Sequence, residues 1–355
     1  MTTQSALPPL STFSDSGVPP NVSTGYTTLV CLHGFMWHGA SFAKMLPLAG
    51  QHNARVIAVN QLDYPGSATH SPEELAVLQR AVAATPDDGE AAAEMLAYWR
   101  ARARDVFDYL VALVREKGIP PMQGDKGGIV LVGWSFGTLW MSAFLAFLSE
   151  FDDPKGVELN KYLRRVVLYD GGWFFLGTAP PTPSPYSPAS DPALTERSAL
   201  VPVFDRWLCS YYPHTYPPTA EALVQSTAAP LADPAPAEGD RASARHAPPE
   251  DFHPQDWLLI GASLKQGTPR TLKARAMFSA PADSKWSALR VECVFCAQSY
   301  WEPVWGAHQL ERELTEARRA GKPAREVTFL RVDRVNHFAH WVVPEKILKV
   351  FLGTR

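Results

Sequence analysis

The sequence lacks the features that mark membrane, secreted and nucleic-acid-binding proteins. Its 355 residues include 33 basic and 36 acidic side chains, a net charge of −3, so there is no basic excess to neutralise a run of phosphates. No apolar run approaches the roughly 20 residues of a membrane span. Residues 1–20 lack both the basic and the apolar segment of a secretion signal. We therefore expect a cytoplasmic protein with no nucleic-acid partner and no stable membrane insertion.

Cysteine is also scarce, with four residues in the chain. Cys293 and Cys296 form a C-x-x-C, but they lie within a largely apolar run at 291–297 that is typical of a buried strand. A redox pair is expected at the N-terminus of a helix instead. We therefore predict buried, inert thiols rather than a redox or metal site.

Hydrophobic residues, in contrast, make up 46% of the chain and are arranged in a regular alternation. From Thr27 onward, short apolar runs alternate with segments of helical periodicity, which is typical of a parallel sheet covered by helices. The pattern predicts an α/β fold with a mostly parallel central sheet and helices on both faces. The predicted strands are 27–32, 55–59, 127–132, 164–169, 289–296 and 327–332, and a final helix covers 344–352.

One long segment, residues 173–285, interrupts the alternation. It is rich in Pro and Ala, contains helical candidates at 202–212 and 256–264, and is too long for a plain loop. We interpret it as an inserted, mainly helical cap over one end of the sheet. The predicted organisation is an N-terminal extension at 1–26, a core formed by 27–172 and 286–355, and the cap at 173–285.

The strongest motif is the G-x-S-x-G at residues 133–137, between a predicted buried strand and an apolar helix. A sharp strand-to-helix turn leaves no room for side chains at the two flanking positions, and it exposes the hydroxyl of Ser135 above the sheet. The amide of Phe136, at the start of the helix, then faces a developing negative charge. We predict that Ser135 is a nucleophile.

A second motif, His33-Gly34-Phe35, ends the first predicted strand. The glycine allows the loop to approach Ser135, so that the amide of Phe35 can serve as the second donor of an oxyanion hole. We predict a structural role for His33, hydrogen-bonded beneath the loop.

Two histidines follow the last predicted strand and compete for the role of general base. A base must come from the carboxyl edge of the sheet to reach Ser135. His337 is nearer the strand end than His340, and Pro344 is well placed to begin the final helix. We predict His337 as the base and His340 as a pocket or surface residue.

In this order, His33-Gly34-Phe35, the Asp-Tyr-Pro-Gly-Ser at 63–67, the serine turn and Asn336-His337-Phe338 resemble the α/β-hydrolase superfamily over most of 27–352 outside the cap. The resemblance implies the α/β-hydrolase fold, with a cap after the strand that follows the nucleophile helix. It also implies a serine, acid and histidine in that chain order. Epoxide and haloalkane hydrolases of the superfamily are less similar, because they have aspartate where Ser135 stands.

The acid departs from the family pattern. Tyr300 occupies the position at which the usual aspartate would fall, and Glu302 comes two residues later. Asp170, at the end of the strand after the nucleophile, is the other candidate, since some family members resemble this chain in using an acid there. Both turns open toward the same histidine, where a buried carboxylate would orient the imidazole. We favour Asp170 and keep Glu302 as the alternative.

Aromatic residues cluster near these positions and suggest an apolar pocket. The predicted substrate-binding residues are Trp134, Trp173, Trp207, Tyr300 and Trp301. Together with the resemblance they imply a serine hydrolase for a small to medium hydrophobic ester or lactone. We expect no metal and no organic cofactor, because no Cys/His cluster has ligand spacing and no G-x-G-x-x-G follows a strand. The alternatives are a cyanohydrin-type lyase and a non-catalytic ligand-binding protein on the same fold.

Overall fold

The structure is a computed structural model that describes residues 7–20, 25–153, 156–230, 255–279 and 284–354. These residues include seven strands: β1 (Ser11–Asp15), β2 (Thr27–Leu32), β3 (Ala54–Asn60), β4 (Ile129–Trp134), β5 (Leu163–Tyr169), β6 (Arg290–Cys296) and β7 (Val327–Val332). They form one sheet in the order β1-β3-β2-β4-β5-β6-β7, in which only the β1–β3 pair is antiparallel. The predicted α/β fold with a mostly parallel sheet is confirmed.

Helices accompany the sheet along the described parts of the chain. They are α1 (Pro72–Ala83), α2 (Gly89–Lys117), α3 (Gly137–Phe147), α4 (Arg197–Cys209), α5 (Ala220–Ala228), α6 (Gln255–Lys265), α7 (Thr268–Phe278), α8 (Trp301–Arg319), α9 (Ala339–Val342) and α10 (Pro344–Leu352). A 3₁₀ segment at Gly39–His52 follows β2. Within the described residues, none of the helices combines the length and the apolar composition needed to cross a bilayer.

Alternate residues of the central strands enter two different hydrophobic cores. Val30 and Leu32 of β2 belong to the core that contains α2 and α3, whereas Leu29 and Cys31 belong to the core that contains α10. Both faces of the sheet are therefore covered, which explains why these strands are continuously apolar in sequence instead of alternating.

The N-terminal extension predicted at 1–26 contributes a strand of the sheet. β1 pairs with β3, with Ser11 opposite Asn60 and Asp15 opposite Ile57. Its sequence, Ser-Thr-Phe-Ser-Asp, has one large apolar residue, and no residue of the strand is fully buried. An edge strand of this kind gives no apolar run, so hydrophobic pattern alone does not reveal it.

The inserted segment contains the helices α4 to α7, and one of them belongs to the core. Leu272, Ala276 and Met277 of α7 are buried in the same hydrophobic core as α3, and α7 packs against α3. The preceding helix α6 packs against α1. The segment predicted as the cap, 173–285, therefore includes a helix that forms part of the hydrophobic core. The central part of the segment, 231–254, lies outside the described residues.

The four cysteines are free and buried. Burial raises the pKa of the Cys293 and Cys296 thiols, because a thiolate in an apolar interior has lost its hydration. The thiols are therefore protonated at neutral pH, and their predicted burial is confirmed.

Candidate active site

Ser135 occupies a sharp turn between β4 and α3. Its φ of 55° lies in the left-handed region, and its N–H donates to the carbonyl of Tyr169 at 2.8 Å. A Cβ atom on Gly133 would lie 2.2 Å from the carbonyl oxygen of Gly137. The first glycine of the motif is therefore required by the close approach of backbone, and the strained residue between strand and helix is the serine, as predicted.

The loop after β2 lies directly against this turn. A Cβ on Gly34 would be 2.9 Å from the Cβ of Ser135, so only glycine permits the contact. The next amide in the loop is that of Phe35, while the amide of Phe136 immediately precedes α3. In the part of the chain that the structure describes, no hydrogen bond uses the N–H of Phe35 or of Phe136. Both donors are available to an anion beside Ser135.

Asp170 and His337 form a buried pair at the carboxyl edge of the sheet. The Nδ1 of His337 lies 2.7 Å from the Oδ2 of Asp170, and neither side chain is more than 1% exposed. The carboxylate accepts two further bonds, from the N–H of Cys296 to Oδ1 and from the hydroxyl of Ser299 to Oδ2, each 2.7 Å long. Three donors thus hold the carboxyl group of Asp170 in place, and its bond to His337 places the imidazole proton on Nδ1.

Two aromatic residues connect His337 to the serine turn. Trp134, which precedes Ser135, packs 4.9 Å from the imidazole and donates from Nε1 to the carbonyl of His337 at 3.1 Å. Tyr300 also packs 4.9 Å from the imidazole, and it lines the same cavity as Ser135. The serine and the histidine therefore lie on the same two neighbours, although 202 positions separate them in the sequence.

Glu302, the alternative acid, requires a correction, because the carboxylate on His337 is that of Asp170. Glu302 is in the first turn of α8, and its Oε2 points back toward the start of the inserted segment, 3.3 Å from the position a Cβ would take on Gly172. Burial raises its pKa to about 8, against a smaller opposing effect of a hydrogen bond with Ser187. Glu302 is therefore a neutral acid in the wall of a cavity.

The other two histidines near the motifs have no free access to the site. The Nδ1 of His33 donates to the carbonyl of Gly34 at 2.9 Å, and its Nε2 accepts from the N–H of Gln61 at 3.2 Å. Burial lowers its pKa to about 3, so it is a neutral structural residue. His340, predicted as a pocket or surface residue, is instead completely buried, 4.4 Å from the ring of Trp134. His340 lies in the short helix α9 with its side chain directed into the protein. The few residues around the two histidines do not determine from sequence which way each side chain points.

A cavity of about 860 Å³ opens above Ser135. Its walls are mainly aromatic and aliphatic, and the ionisable side chains among them are Arg270, Lys273, Glu302 and Glu313. Three of the predicted substrate-binding residues, Trp173, Tyr300 and Trp301, belong to the lining. Further lining residues that sequence reasoning missed include Phe174, Phe204, Leu208, Trp257 and Ile260.

Trp134 and Trp207 were predicted to bind substrate, but they lie behind the residues that line the cavity. Trp134 has no exposed surface and lies beneath His337, while Trp207 packs against Tyr300 with their ring centroids 4.5 Å apart. Neither contributes to the cavity lining. Trp134 supports His337, and Trp207 supports Tyr300. The sequence did not reveal this, because an aromatic side chain near a motif can face either side of the chain.

The model of the α/β-hydrolase family matches residues 29–350 of the chain. No curated protein sequence matches it. Among solved structures it is similar to a carboxylesterase of the ammonia-oxidizing thaumarchaeon Nitrososphaera gargenis (13% identity, 97% of this chain and 93% of that one, TM-score 0.47). It is also similar to a thermophilic esterase from Thermogutta terrifontis (13%, 96% and 90%, 0.44) and a bromoperoxidase from Bacillus anthracis (13%, 96% and 94%, 0.43). None of these three likenesses bears on the chemistry of this chain.

Proposed function

The chain belongs to the α/β-hydrolase family, and from that premise we propose that it is a serine hydrolase that cleaves a carboxylic ester or lactone of a small to medium hydrophobic substrate. The observation that carries the proposal is the buried Asp170–His337 hydrogen bond of 2.7 Å beside the strained turn at Ser135. A carboxylate, an imidazole and a serine in this arrangement are the parts that nucleophilic acyl transfer requires.

In the first half of the reaction, Nε2 of His337 takes the proton of the Ser135 hydroxyl while the oxygen attacks the carbonyl carbon of the substrate. Nε2 is able to accept because Nδ1 keeps its proton in the bond to Asp170. The carbonyl double bond opens, and its electron pair moves to the oxygen. The amides of Phe35 and Phe136 stabilise that oxyanion, since both N–H groups are without another acceptor in the described residues.

In the second half, the tetrahedral intermediate collapses and the alcohol oxygen leaves with the proton from His337. A lactone leaves its alcohol attached to the acyl group. Water then attacks the acyl-enzyme, with Nε2 of His337 taking its proton, and the acid product departs as Ser135 recovers a proton from His337. The apolar walls of the cavity favour a hydrophobic acyl or alcohol group, because polar groups there would lose hydration without finding partners.

The test is turnover of a short-chain activated ester together with labelling by a fluorophosphonate. We expect wild-type protein to hydrolyse the ester and to be labelled at Ser135, and Ser135→Ala to lose about 10⁶-fold in kcat and all labelling. Full activity of Ser135→Ala would contradict the mechanism. A lyase would be labelled without turning over the ester, and a binding protein would show neither property, so the same two measurements separate the three functions.

A further inference from the structure

The first turn of α6, in the inserted segment, contacts the loop that carries the Phe35 amide. The carboxylate Oδ2 of Asp256 accepts the N–H of Met36 at 3.3 Å. The ring of the next residue, Trp257, packs edge-on against Phe35, with centroids 4.6 Å apart and planes at 90°. Two adjacent residues of one helix thus hold two adjacent residues of the loop, one through the backbone and one through the side chain.

This loop needs external support, because its backbone is strained. Met36 has a φ of 68°, a left-handed conformation that is sterically unfavourable for a non-glycine residue. The peptide unit between Phe35 and Met36 ends in the N–H that Asp256 accepts. Fixing that unit restricts the backbone of Phe35 and with it the direction of the Phe35 N–H. An oxyanion donor that is free to rotate contributes little to a transition state.

Asp256 is itself held firmly for this task. The hydroxyl of Tyr64 donates to the same Oδ2 at 2.6 Å, and only 8% of Asp256 is exposed. The charged groups that face it from the core are Asp63 and His70, which pair with each other. Burial raises the pKa of Asp256 to about 6, and the hydrogen bonds from Tyr64 and Met36 oppose that rise. At neutral pH the carboxylate is charged and accepts both bonds.

We propose that Asp256 is a positioning residue of the oxyanion hole: from the inserted segment it holds the Met36 amide and so aims the Phe35 N–H at the developing negative charge. The inference rests on the proposed function, because an oxyanion forms only if Ser135 attacks a carbonyl. It assigns part of the inserted segment to catalysis rather than to covering the cavity. Asp256 does not line the cavity, so its removal acts on the transition state and not on substrate binding.

The same helix offers a matched control. Ser263 of α6 accepts a buried hydrogen bond of 3.0 Å from Nε1 of Trp99 in α2, so it also joins the inserted segment to the core. It has no exposed surface and is absent from the cavity lining. Ser263→Ala removes a contact of comparable burial without touching the oxyanion loop.

The experiment compares Asp256→Ala, Asp256→Leu, Asp256→Asn and Ser263→Ala for kcat and KM on an activated ester, affinity for an alkyl boronic acid, and Tm. The boronic acid forms a tetrahedral, anionic adduct with a serine and so reports the oxyanion hole. We expect Asp256→Ala and Asp256→Leu to lose about 10- to 100-fold in both kcat and boronic-acid affinity at little changed KM. Asp256→Asn recovers most of the loss, since its amide oxygen can accept from Met36. Ser263→Ala lowers Tm but keeps kcat.

Equal kcat values for the Asp256 and Ser263 variants would overturn the inference, as would a loss confined to KM. Asp256→Leu keeps the number and the branching of the side-chain heavy atoms, so it decides the question if the alanine variant folds poorly. Failure of the proposed function looks different: wild-type protein would then neither hydrolyse the ester nor react with a fluorophosphonate, and the positioning role would fall with it.

Discussion

Two buried carboxyl groups near Ser135, in the turn after β5 and in the first turn of α8, have opposite surroundings. Asp170 accepts hydrogen bonds from a backbone N–H, a hydroxyl and an imidazole. Glu302 lies among the aromatic walls of the cavity, where burial raises its pKa to about 8. Asp170 therefore has three hydrogen-bond donors around it, whereas the surroundings of Glu302 disfavour its charged form. Residue type therefore identifies both as candidate acids, while the donors around each decide which can act as an acid partner of histidine.

Among variants of these two carboxyl groups, the largest effect is expected from Asp170→Asn. An amide in place of the carboxylate no longer favours the Nδ1–H tautomer of His337 or its charged form, so we expect kcat to fall about 10⁴-fold in ester hydrolysis. The comparison would break if Asp170→Asn stayed active while Glu302→Gln lost activity, because the carboxyl in the cavity would then be the one that serves the histidine.

A second buried Asp–His pair in the same chain provides the control for that variant. Asp63 pairs with Nδ1 of His70, both side chains are at most 6% exposed, and neither residue lines the cavity at Ser135. Asp63→Asn removes the same type of charge from the same type of pair. We expect it to lower the free energy of unfolding while kcat falls far less than in Asp170→Asn. Similar losses of kcat in the two variants would mean that destabilisation, not tautomer control, explains the effect.

The strands and the motifs that follow them can be predicted from the sequence, because each one is a short run of contiguous residues. The six apolar runs, the glycine-flanked serine and the His33-Gly34-Phe35 loop all follow from local spacing and backbone geometry. Asp170 ends a recognisable strand, and the resemblance to a family in which some members use an acid at that position makes it a candidate. The local pattern does not decide between Asp170 and Glu302, because both turns lie at the carboxyl edge of the sheet. The choice depends on a contact with His337 that spans 167 positions of the sequence.

Contacts made by the inserted segment could not be predicted in this way. Asp256 lies 220 positions from Met36, and nothing in the sequence around either residue indicates that they meet. Ser299 is a comparable case: it stands one residue before Tyr300, but its bond to Asp170 depends on the register of β5 and β6. Similarly, α7 has the length and composition of a cap helix, and only its packing shows that it belongs to the core.

Ser299→Ala tests the hydrogen bonds around Asp170 without changing the carboxyl group itself. The variant removes one of three hydrogen bonds, and the N–H of Cys296 and the imidazole of His337 remain. A hydrogen bond to a charged group contributes roughly 1.5 kcal/mol or more, so we expect kcat to fall about tenfold. The measurement is the pH dependence of kcat beside Tm. Unchanged kcat with a lowered Tm would assign Ser299 to stability alone.

Glu302→Gln is expected to have the smallest effect on turnover, because glutamine keeps the shape of a side chain that is already neutral. Its effect is on the pH dependence of stability. The pKa of Glu302 in the folded protein, about 8, lies above the ordinary value of 4.5, so between these values the folded chain retains a proton that the unfolded chain has lost. The associated stabilisation is complete below pH 4.5 and is lost as the pH rises through about 8.

The free energy of unfolding in urea, measured across this interval, tests that sign. Relative to wild type, Glu302→Gln should become progressively more stable as the pH is raised, while Glu116→Gln, at an exposed position of α2, should parallel wild type throughout. A difference between wild type and Glu302→Gln that is independent of pH would show that the cavity carboxyl titrates normally. The contrast with Asp170 would then rest on hydrogen bonding alone and not on charge.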